Sequence, residues 1–243
     1  MTPDRGAFRA TISRSVRLFR AFLREQSDPE AFYTALADDS AAQLASMIDL
    51  DGRLLLDVGG GPGYFARAFA VRGARYIGVE LDAPTDFVAD SYAVHGSGLA
   101  LPFRSGAVDI VYCSNVLEHV GHPQQLLAEL ARVARPGGHV VVSFTPWWSP
   151  WGGHETSPWH YLGGSYARRR YHRQHGHQPK NRYGESLFGY RVGEAVGWAR
   201  SLPGGDLQFA IPRYHPRWAW WVTRVAAARE VATWNLLLVW RRR

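Results

Sequence analysis

The chain has 243 residues, 46% of them hydrophobic, so it is long enough to bury the core of one domain with a cap. Its formal charge of +7 favours acidic partners, but Lys180 is the only lysine, and this arginine bias is typical of a GC-rich genome, so nucleic acid is not favoured as a partner. Cys113 is the only cysteine, which excludes an intrachain disulfide, and no apolar run reaches the ~20 residues that span a bilayer.

Two helices are predicted at the start of the chain. Apolar residues between Phe8 and Glu25 recur every three or four places, which is the spacing of an amphipathic helix. Asp28 and Pro29 interrupt this pattern and suit the cap and the first turn of a second helix, which runs to about Met47.

Short apolar strands alternate with helices after residue 50, which predicts a parallel, doubly wound sheet. The predicted strands are Arg53–Val58, Tyr76–Val79, Val108–Cys113 and His139–Phe144, and the predicted helices are Tyr64–Val71 and Pro123–Ala134. A turn at residues 136–138 (Pro-Gly-Gly) leads into the last of these strands. No regular structure is predicted for about forty residues after Thr145. A helix at Val192–Arg200 and strands at Leu207–Ile211 and Trp234–Trp240 complete the chain.

A glycine-rich turn, DVGGGPG, follows the first strand and opens a helix. Glycines adopt positive φ without a clash and let a ligand approach the backbone, and in an open α/β sheet this turn lies at the carboxyl ends of the strands. Asp57 precedes the turn, where it can receive a cationic group or fix the loop amides. Glu80 ends the next strand, where an acid accepts hydrogen bonds from ribose hydroxyls. The alternative is a glycine turn without a ligand and two acids that only cap loops.

Four motifs occur in order over roughly residues 50–146: LLLDVGGGPG, GVELD, LALPFRSGAVDIVYCSNVLEHV and ELARVARPGGHVVVS. The ordered set resembles the class I S-adenosylmethionine-dependent methyltransferases, in particular the small-molecule branch called methyltransferase type 11. The resemblance implies a Rossmann-like α/β fold, a doubly wound and mostly parallel sheet of seven strands, with N-terminal helices and an inserted cap. It implies S-adenosylmethionine as cofactor and S-adenosylhomocysteine as product.

The resemblance also assigns cofactor contacts. Asp57, Gly59, Gly61 and Gly63 would hold the methionine part, Glu80 the ribose, and Leu81 would pack on the adenine, while Ser114 and Asn115 would face the methionyl end. Many relatives have an aspartate that accepts from the adenine amino group where this chain has Ser97, and a hydroxyl accepts that bond more weakly than a charged group does.

The segment TPWWSPWGGHETSPWHYLGG leaves the last strand of the cofactor core and holds four of the ten tryptophans. We expect it to cover the reactive methyl group, with Trp147, Trp148, Trp151, Trp159 and His160 excluding water or contacting the acceptor. The alternative is a small hydrophobic core beneath a long loop.

An alcohol acceptor needs a general base, whereas a carboxylate acceptor does not. His154 is the first candidate, because it lies in a glycine-flanked turn beside Glu155, which could orient it or stabilise its charge. His119 of the LEHV motif is the second candidate. The alternative for each is a surface or capping histidine.

The basic run 167–184 includes His172, His175 and His177, but their spacing fits no structural zinc pattern, so no metal site is predicted. This run suits an anion-binding rim or, more simply, a solvated face. A later stretch, PRYHPRWAWWVTRVAAARE, interleaves Arg213, Arg217 and Arg224 with tryptophans. That composition suits a membrane headgroup zone, a substrate pocket or a dimer contact.

The sequence therefore predicts a single methyltransferase domain: N-terminal helices (1–49), a cofactor core (50–145), a cap (146–184) and C-terminal helices and strands (185–243). GGHE…HYLGG and RYHPRWAWW are similar to a narrower group of actinobacterial methyltransferases, from mycolate-making bacteria, associated with assembly of cell-envelope glycolipids. The expected activity is methylation of a small molecule, on oxygen of a saccharide or glycolipid. The acceptor and its accepting atom (oxygen, nitrogen or carbon) stay open, as does the choice between monomer and homodimer.

Two other functions stay open as well: a nicotinamide-dependent oxidoreductase, and a methyltransferase-like scaffold with little catalysis. The charged N-terminus lacks the apolar core of a secretory signal, so we expect a cytoplasmic protein, with peripheral contact at the inner face of the membrane as a further option.

Overall fold

The computed structural model describes residues 8–25, 27–81 and 92–243. Its helices, in chain order, are α1 (Ile12–Phe22), α2 (Pro29–Ala45), α3 (Tyr64–Ala70), α4 (Pro123–Val133), α5 (Gly164–His175), α6 (Val192–Ser201) and α7 (Ala226–Ala232). Its strands are β1 (Leu54–Val58), β2 (Arg75–Glu80), β3 (Tyr92–His95), β4 (Val108–Ser114), β5 (Ala134–Phe144), β6 (Gly205–Pro212) and β7 (Leu236–Arg242). Short 3₁₀ helices lie at Leu117–His119, His154–Thr156, Trp159–Leu162 and Arg217–Arg224.

All seven strands form one sheet in the order β3-β2-β1-β4-β5-β7-β6. β1 to β5 are parallel, and β7 runs antiparallel between β5 and β6. The mostly parallel, seven-stranded sheet is confirmed. Because β1 to β5 point the same way, the loops that leave them meet along one edge, and the glycine turn after β1 lies in the middle of that edge.

The apolar run of β1 is buried on both faces of the sheet. Leu55 and Leu56 are fully buried, and since successive strand residues point to opposite faces, they belong to different cores. Leu56 packs in the core that includes α4 and α6, and Leu55 in the core that includes α2 and α3. A continuous apolar strand is what a parallel sheet covered by helices requires.

The two N-terminal helices form, and each has a side-chain cap. Asp28 accepts a hydrogen bond from Ala31 N at 3.2 Å, with Pro29 in the first turn as predicted. α1 is shorter than predicted, because Thr11 caps it and Ile12 is its first residue.

Four parts of the fold differ from the prediction. α7 lies in the stretch between the last two strands, where no helix was located from the sequence. β3 was missed because its residues are mostly exposed, and α5 was missed because its sequence, GSYARRRYHRQH, has no apolar stripe. The prediction of forty irregular residues after Thr145 is therefore wrong. The turn predicted at residues 136–138 is instead an irregularity inside β5, where Gly137 has φ 77° and the register with β4 shifts. Among the described residues, no helix is both long and apolar enough to cross a membrane.

Candidate active site

The turn after β1 has the backbone that its glycines predict. Gly59, Gly61 and Gly63 have φ of 80°, 64° and 91°, a region that favours glycine. A Cβ on Gly59 would overlap the side chain of Val116, which follows β4, so the turn and the β4 loop pack closely. A Cβ on Gly61 would meet nothing within 4 Å, so this part of the turn is open to a ligand.

Two carboxyl groups flank the glycine turn. Asp57 is buried at the end of β1 and accepts a hydrogen bond from the Tyr76 hydroxyl at 2.8 Å. The pKa of Asp57 is raised to about 7; burial is the main cause, Glu80 acts in the same direction, and the Tyr76 hydrogen bond opposes the rise. Glu80 Oε1 accepts from Gly61 N at 2.5 Å, and burial raises the pKa of Glu80 while that N–H opposes the rise. The carboxylate of Glu80 therefore holds the turn against the end of β2.

The remaining positions assigned to the adenosine side lie beside β2. Leu81 is exposed directly after Glu80. Ser97 is half-buried after β3, which pairs with β2 through Glu80 and His95, and its hydroxyl accepts from Leu99 N at 3.2 Å. Asp82 of the GVELD motif lies outside the described residues.

The end of β4 is held by side chains that the sequence did not predict. Asn115 has φ 56°, unusual for a residue with a side chain, and its Oδ1 accepts from Asn235 Nδ2 at 2.8 Å. The hydroxyls of Ser114 and Ser143 lie 2.9 Å apart. Asn235 immediately precedes β7, so the antiparallel strand fixes the loop that leaves β4.

Arg213 is fully buried beneath the same edge of the sheet. Its Nη1 donates to the hydroxyls of Ser114 and Ser143, and its Nη2 donates to those of Ser40 and Tyr112, at 2.5–2.8 Å. Placing Arg213 in a headgroup-binding surface is therefore wrong, because the guanidinium is a buried brace that joins α2, β4 and β5. Only its contacts reveal this, since the arginines around it in sequence are exposed.

The LEHV motif and the glycine-flanked turn bring three proton-binding groups together: Glu118, His119 and His154, here called the histidine–glutamate cluster. One ligand atom from each lies within 4.8 Å of the others, and the two histidine rings are 5.1 Å apart. His119 Nδ1 is 2.7 Å from the carbonyl oxygen of Ser186, and because a carbonyl oxygen can only accept, Nδ1 donates this hydrogen bond. Glu118 Oε1 accepts from Thr145 N at 3.0 Å.

Two buried polar atoms of the cluster lack hydrogen bonds within the described part of the chain. Glu118 Oε2 and His154 Nε2 are buried and have no hydrogen-bond partner among the described residues. Burial raises the pKa of Glu118, and the pKa of His154 is lowered to about 4, chiefly by burial and also by the nearby His119. His154 also has φ 49°, in the left-handed region that non-glycine residues rarely adopt.

Glu155 does not belong to this cluster, and its assignment beside His154 is corrected. Its side chain is exposed and accepts hydrogen bonds from Asn181, from the backbone N at 2.7 Å and from Nδ2 at 2.8 Å. The carboxyl group beside the histidines is that of Glu118. The adjacent Glu118 and His119 in LEHV were the available signal. His154 and Glu155 are neighbours in a different 3₁₀ turn, and their side chains point to different places.

The predicted acceptor contacts divide between the interior and the surface of the cap. His160 is fully buried, its Nε2 lies 3.1 Å from the carbonyl oxygen of Ser149, and its ring packs on Trp147 at 5.2 Å. Trp147 is itself buried and also contacts Tyr183. Placing His160 and Trp147 against an acceptor is therefore wrong, because both form the inner packing of the cap.

The other three tryptophans lie in separate places. Trp148 stacks on Tyr161 with ring centroids 6.2 Å apart. Trp151 contacts Phe22 of α1 at 5.0 Å. Trp159 is 40% exposed, and the guanidinium of Arg170 lies 4.0 Å from its ring.

The strand order, the glycine turn after β1 and the acid at the end of β2 define the class I methyltransferase fold. Comparison with known proteins identifies the family. A family model described as a methyltransferase domain matches residues 56–142. An uncharacterized methyltransferase of Mycobacterium marinum is 52% identical over 97% of both chains, and one of Mycobacteroides abscessus is 50% identical over 99% of this chain and 98% of its own. The chain therefore belongs to the S-adenosylmethionine-dependent methyltransferases.

Solved structures share the fold at low sequence identity. An S-adenosylmethionine-dependent methyltransferase from Mesorhizobium loti matches with a TM-score of 0.56 and 19% identity, over 85% of this chain and 98% of its own. The geranyl diphosphate C-methyltransferase of Streptomyces coelicolor, solved with Mg²⁺, geranyl diphosphate and S-adenosylhomocysteine, matches with a TM-score of 0.53 and 18% identity, over 84% and 76% of the two chains.

Proposed function

We propose that the protein methylates an oxygen of a saccharide or glycolipid, with the methyl donor held by the turn after β1 and the acceptor hydroxyl at the histidine–glutamate cluster. One observation carries this proposal. The glycine turn packs on Val116, and Glu118 and His119 follow two and three residues later, so a group held by the turn and a group held by the cluster are neighbours.

The donor side fits the cofactor. The turn is open at Gly61, and a carboxylate accepts more than one hydrogen bond, so Glu80 can hold Gly61 N and still accept from ribose hydroxyls. S-adenosylmethionine supplies a methyl group that its sulfonium has already activated. The residues that would hold it are Asp57, Gly59, Gly61, Gly63, Glu80, Leu81, Ser97, Ser114 and Asn115.

The acceptor side needs a group that binds the acceptor hydroxyl and accepts its proton. His119 is oriented by its hydrogen bond to the Ser186 carbonyl, and His154 Nε2 has no competing partner among the described residues. A positioned base contributes about 10²–10⁴-fold to rate. Because His154 Nε2 is buried, an oxygen acceptor is the class that benefits from it.

The surface of the cap supports an amphiphilic acceptor. Trp159, Tyr161 and Leu162 are exposed side by side, and Arg170 covers the Trp159 ring. Aromatic faces stack on sugars and also pack on apolar chains, and a guanidinium adds affinity for an anionic group.

A second surface supports an acceptor presented in a membrane. Ile12 and Leu23 of α1 are 60% and 63% exposed, and Trp218 and Trp221 of the 217–224 turn are 68% and 52% exposed. Arg217 N donates to Ala10 O at 2.8 Å, which joins this turn to the segment that precedes α1. Arginines alternate with these apolar side chains, as on surfaces that bind anionic headgroups.

The test is transfer of an isotope-labelled methyl group from S-adenosylmethionine to a lipid extract and to a sugar extract of a mycobacterium, with the linkage of the product determined by mass spectrometry. We expect an O-methyl product in the lipid extract. His154→Ala should lose at least ~100-fold in turnover, the lower limit for removal of a positioned base, with unchanged affinity for S-adenosylhomocysteine. His172→Ala, an exposed histidine of α5, is the matched control.

Label on nitrogen or carbon would refute oxygen transfer, and label only in the soluble sugar extract would refute a lipid-borne acceptor. Full activity of His154→Ala would remove the cluster from the reaction. No binding of S-adenosylhomocysteine by calorimetry would refute the assigned donor site.

A further inference from the structure

We propose that Glu118, His119 and His154 form a binding site for a divalent transition-metal ion of the Zn²⁺ type. Two imidazoles and one carboxylate are a common ligand set for such ions, and three protein ligands leave a coordination position open for water or substrate. The claim concerns ion binding by these side chains and does not depend on the identity of the acceptor.

The first observation is the unsatisfied atoms. A buried carboxylate oxygen and a buried imidazole nitrogen without partners are each costly, and Glu118 Oε2 and His154 Nε2 lie in the same cluster. A cation at this point would satisfy both atoms together.

The second observation is the support around the ligands. His119 donates Nδ1–H to the Ser186 carbonyl, the arrangement that fixes an imidazole with Nε2 towards a metal ion. Glu118 is fixed in the same way, since its Oε1 accepts from Thr145 N and leaves Oε2 for the ion. Each of these two ligands therefore has an orienting partner of its own.

The distances are compatible with an ion after a small closure. Ligand atoms around tetrahedral Zn²⁺ lie roughly 3.4 Å apart, given bond lengths of about 2.1 Å. The three candidate atoms lie within 4.8 Å of one another, so side-chain rotations that move each atom by about an ångström bring them to this spacing. His154 can adjust by rotation of its side chain, because its Nε2 has no hydrogen-bond partner among the described residues.

The consequence for the site is chemical. A metal ion polarises a bound oxygen and lowers the pKa of its proton. With an ion bound, an acceptor hydroxyl at the open coordination position would lose its proton to solvent more readily, whereas in the ion-free protein the histidines are the proton acceptors. The motifs alone do not predict an ion site, because its ligands come from loops after two different strands.

The test uses the full chain, treated with a chelator and free of cofactor and acceptor. Zn²⁺ binding is measured by calorimetry, and Co²⁺ is added as a probe whose visible absorption reports nitrogen and carboxylate ligands. We expect one ion per chain. His154→Ala and Glu118→Gln should each weaken binding at least ~10-fold, because even loss of an outer partner costs 10–100-fold.

The control is a double variant, His175→Ala with His177→Ala, which removes the other histidine pair, whose rings lie 6.1 Å apart at the end of α5. We expect it to bind ions as the parent does. The proposal is overturned if the parent takes up no ion, if neither cluster variant weakens binding, or if the control variant abolishes binding. Unchanged affinity of each variant for S-adenosylhomocysteine verifies folding, so ion binding and methyl transfer can fail independently.

Discussion

Asp57→Asn tests the electrostatics beneath the cofactor turn. Asp57 is 1% exposed, its one side-chain hydrogen bond among the described residues comes from Tyr76, and its pKa is raised from 3.8 to about 7, chiefly by burial. An asparagine keeps the volume and can still accept from the Tyr76 hydroxyl, so the substitution removes the charge and little else.

The sign follows from proton binding. Because the folded chain holds the Asp57 proton more tightly than the unfolded chain, the unfolded chain ionises first as pH rises, and stability is lost between the two pKa values. At about 1.4 kcal/mol per pKa unit, a shift of roughly three units lowers the free energy of unfolding by about 4 kcal/mol above pH 7, and about 3 kcal/mol of this falls between pH 5 and pH 8.

The measurement is denaturant unfolding of both proteins at about pH 5 and about pH 8. Relative to the parent, Asp57→Asn should gain about 3 kcal/mol in the free energy of unfolding between these pH values. Asp38→Asn, at an exposed aspartate, should show no such gain. If the difference between Asp57→Asn and the parent were independent of pH, or changed with the opposite sign, the carboxyl would not be held protonated by burial.

Two further substitutions probe the buried ion pair and the ribose contact. Arg14 and Asp39 form a bidentate pair at 2.8 and 2.6 Å with both side chains buried. Asp39→Asn leaves the guanidinium uncompensated, so it should lower the free energy of unfolding by ~3–5 kcal/mol, whereas Asp38→Asn should change it by less than ~0.5 kcal/mol. Equal changes in the two variants would show that the ion pair does not stabilise the fold. Glu80→Gln should weaken S-adenosylhomocysteine roughly tenfold by calorimetry, because neutral hydrogen bonds replace charge-assisted ones, and an unchanged affinity would place the ribose elsewhere.

The cofactor half of the molecule could be predicted because its signals are local. DVGGGPG needs positive φ at alternate residues, and the structure has it at Gly59, Gly61 and Gly63. RLLLDV needs burial on both faces, and Leu55 and Leu56 have it. Since a parallel sheet brings the carboxyl ends of its strands to one edge, the order of strands was enough to predict that Glu80 would lie beside the glycine turn.

The acceptor half could not be predicted, because its contacts join distant parts of the chain. Arg213 braces α2, β4 and β5 from a position after β6, and nothing in PRYHPR distinguishes it from the exposed Arg217. Glu118 was passed over in favour of Glu155, which is the sequence neighbour of His154 but bonds to Asn181. Side-chain direction in irregular segments is fixed by tertiary contacts, and periodicity carries no information about it.

The aromatic segment after β5 was predicted to contact the acceptor, and part of it instead explains how an irregular turn can hold His154 in place. A turn without strand or long-helix hydrogen bonds needs packing to order it, and Trp147, His160 and Tyr183 supply that packing. A Cβ on Gly153 would lie 2.6 Å from His160 Cβ, so the backbone of the turn packs tightly against His160. With Gly153 held there, the next residue has φ 49° and its imidazole lies beside His119. The buried aromatic rings therefore stabilise the strained backbone, whereas the ring of Trp159 stays 40% exposed.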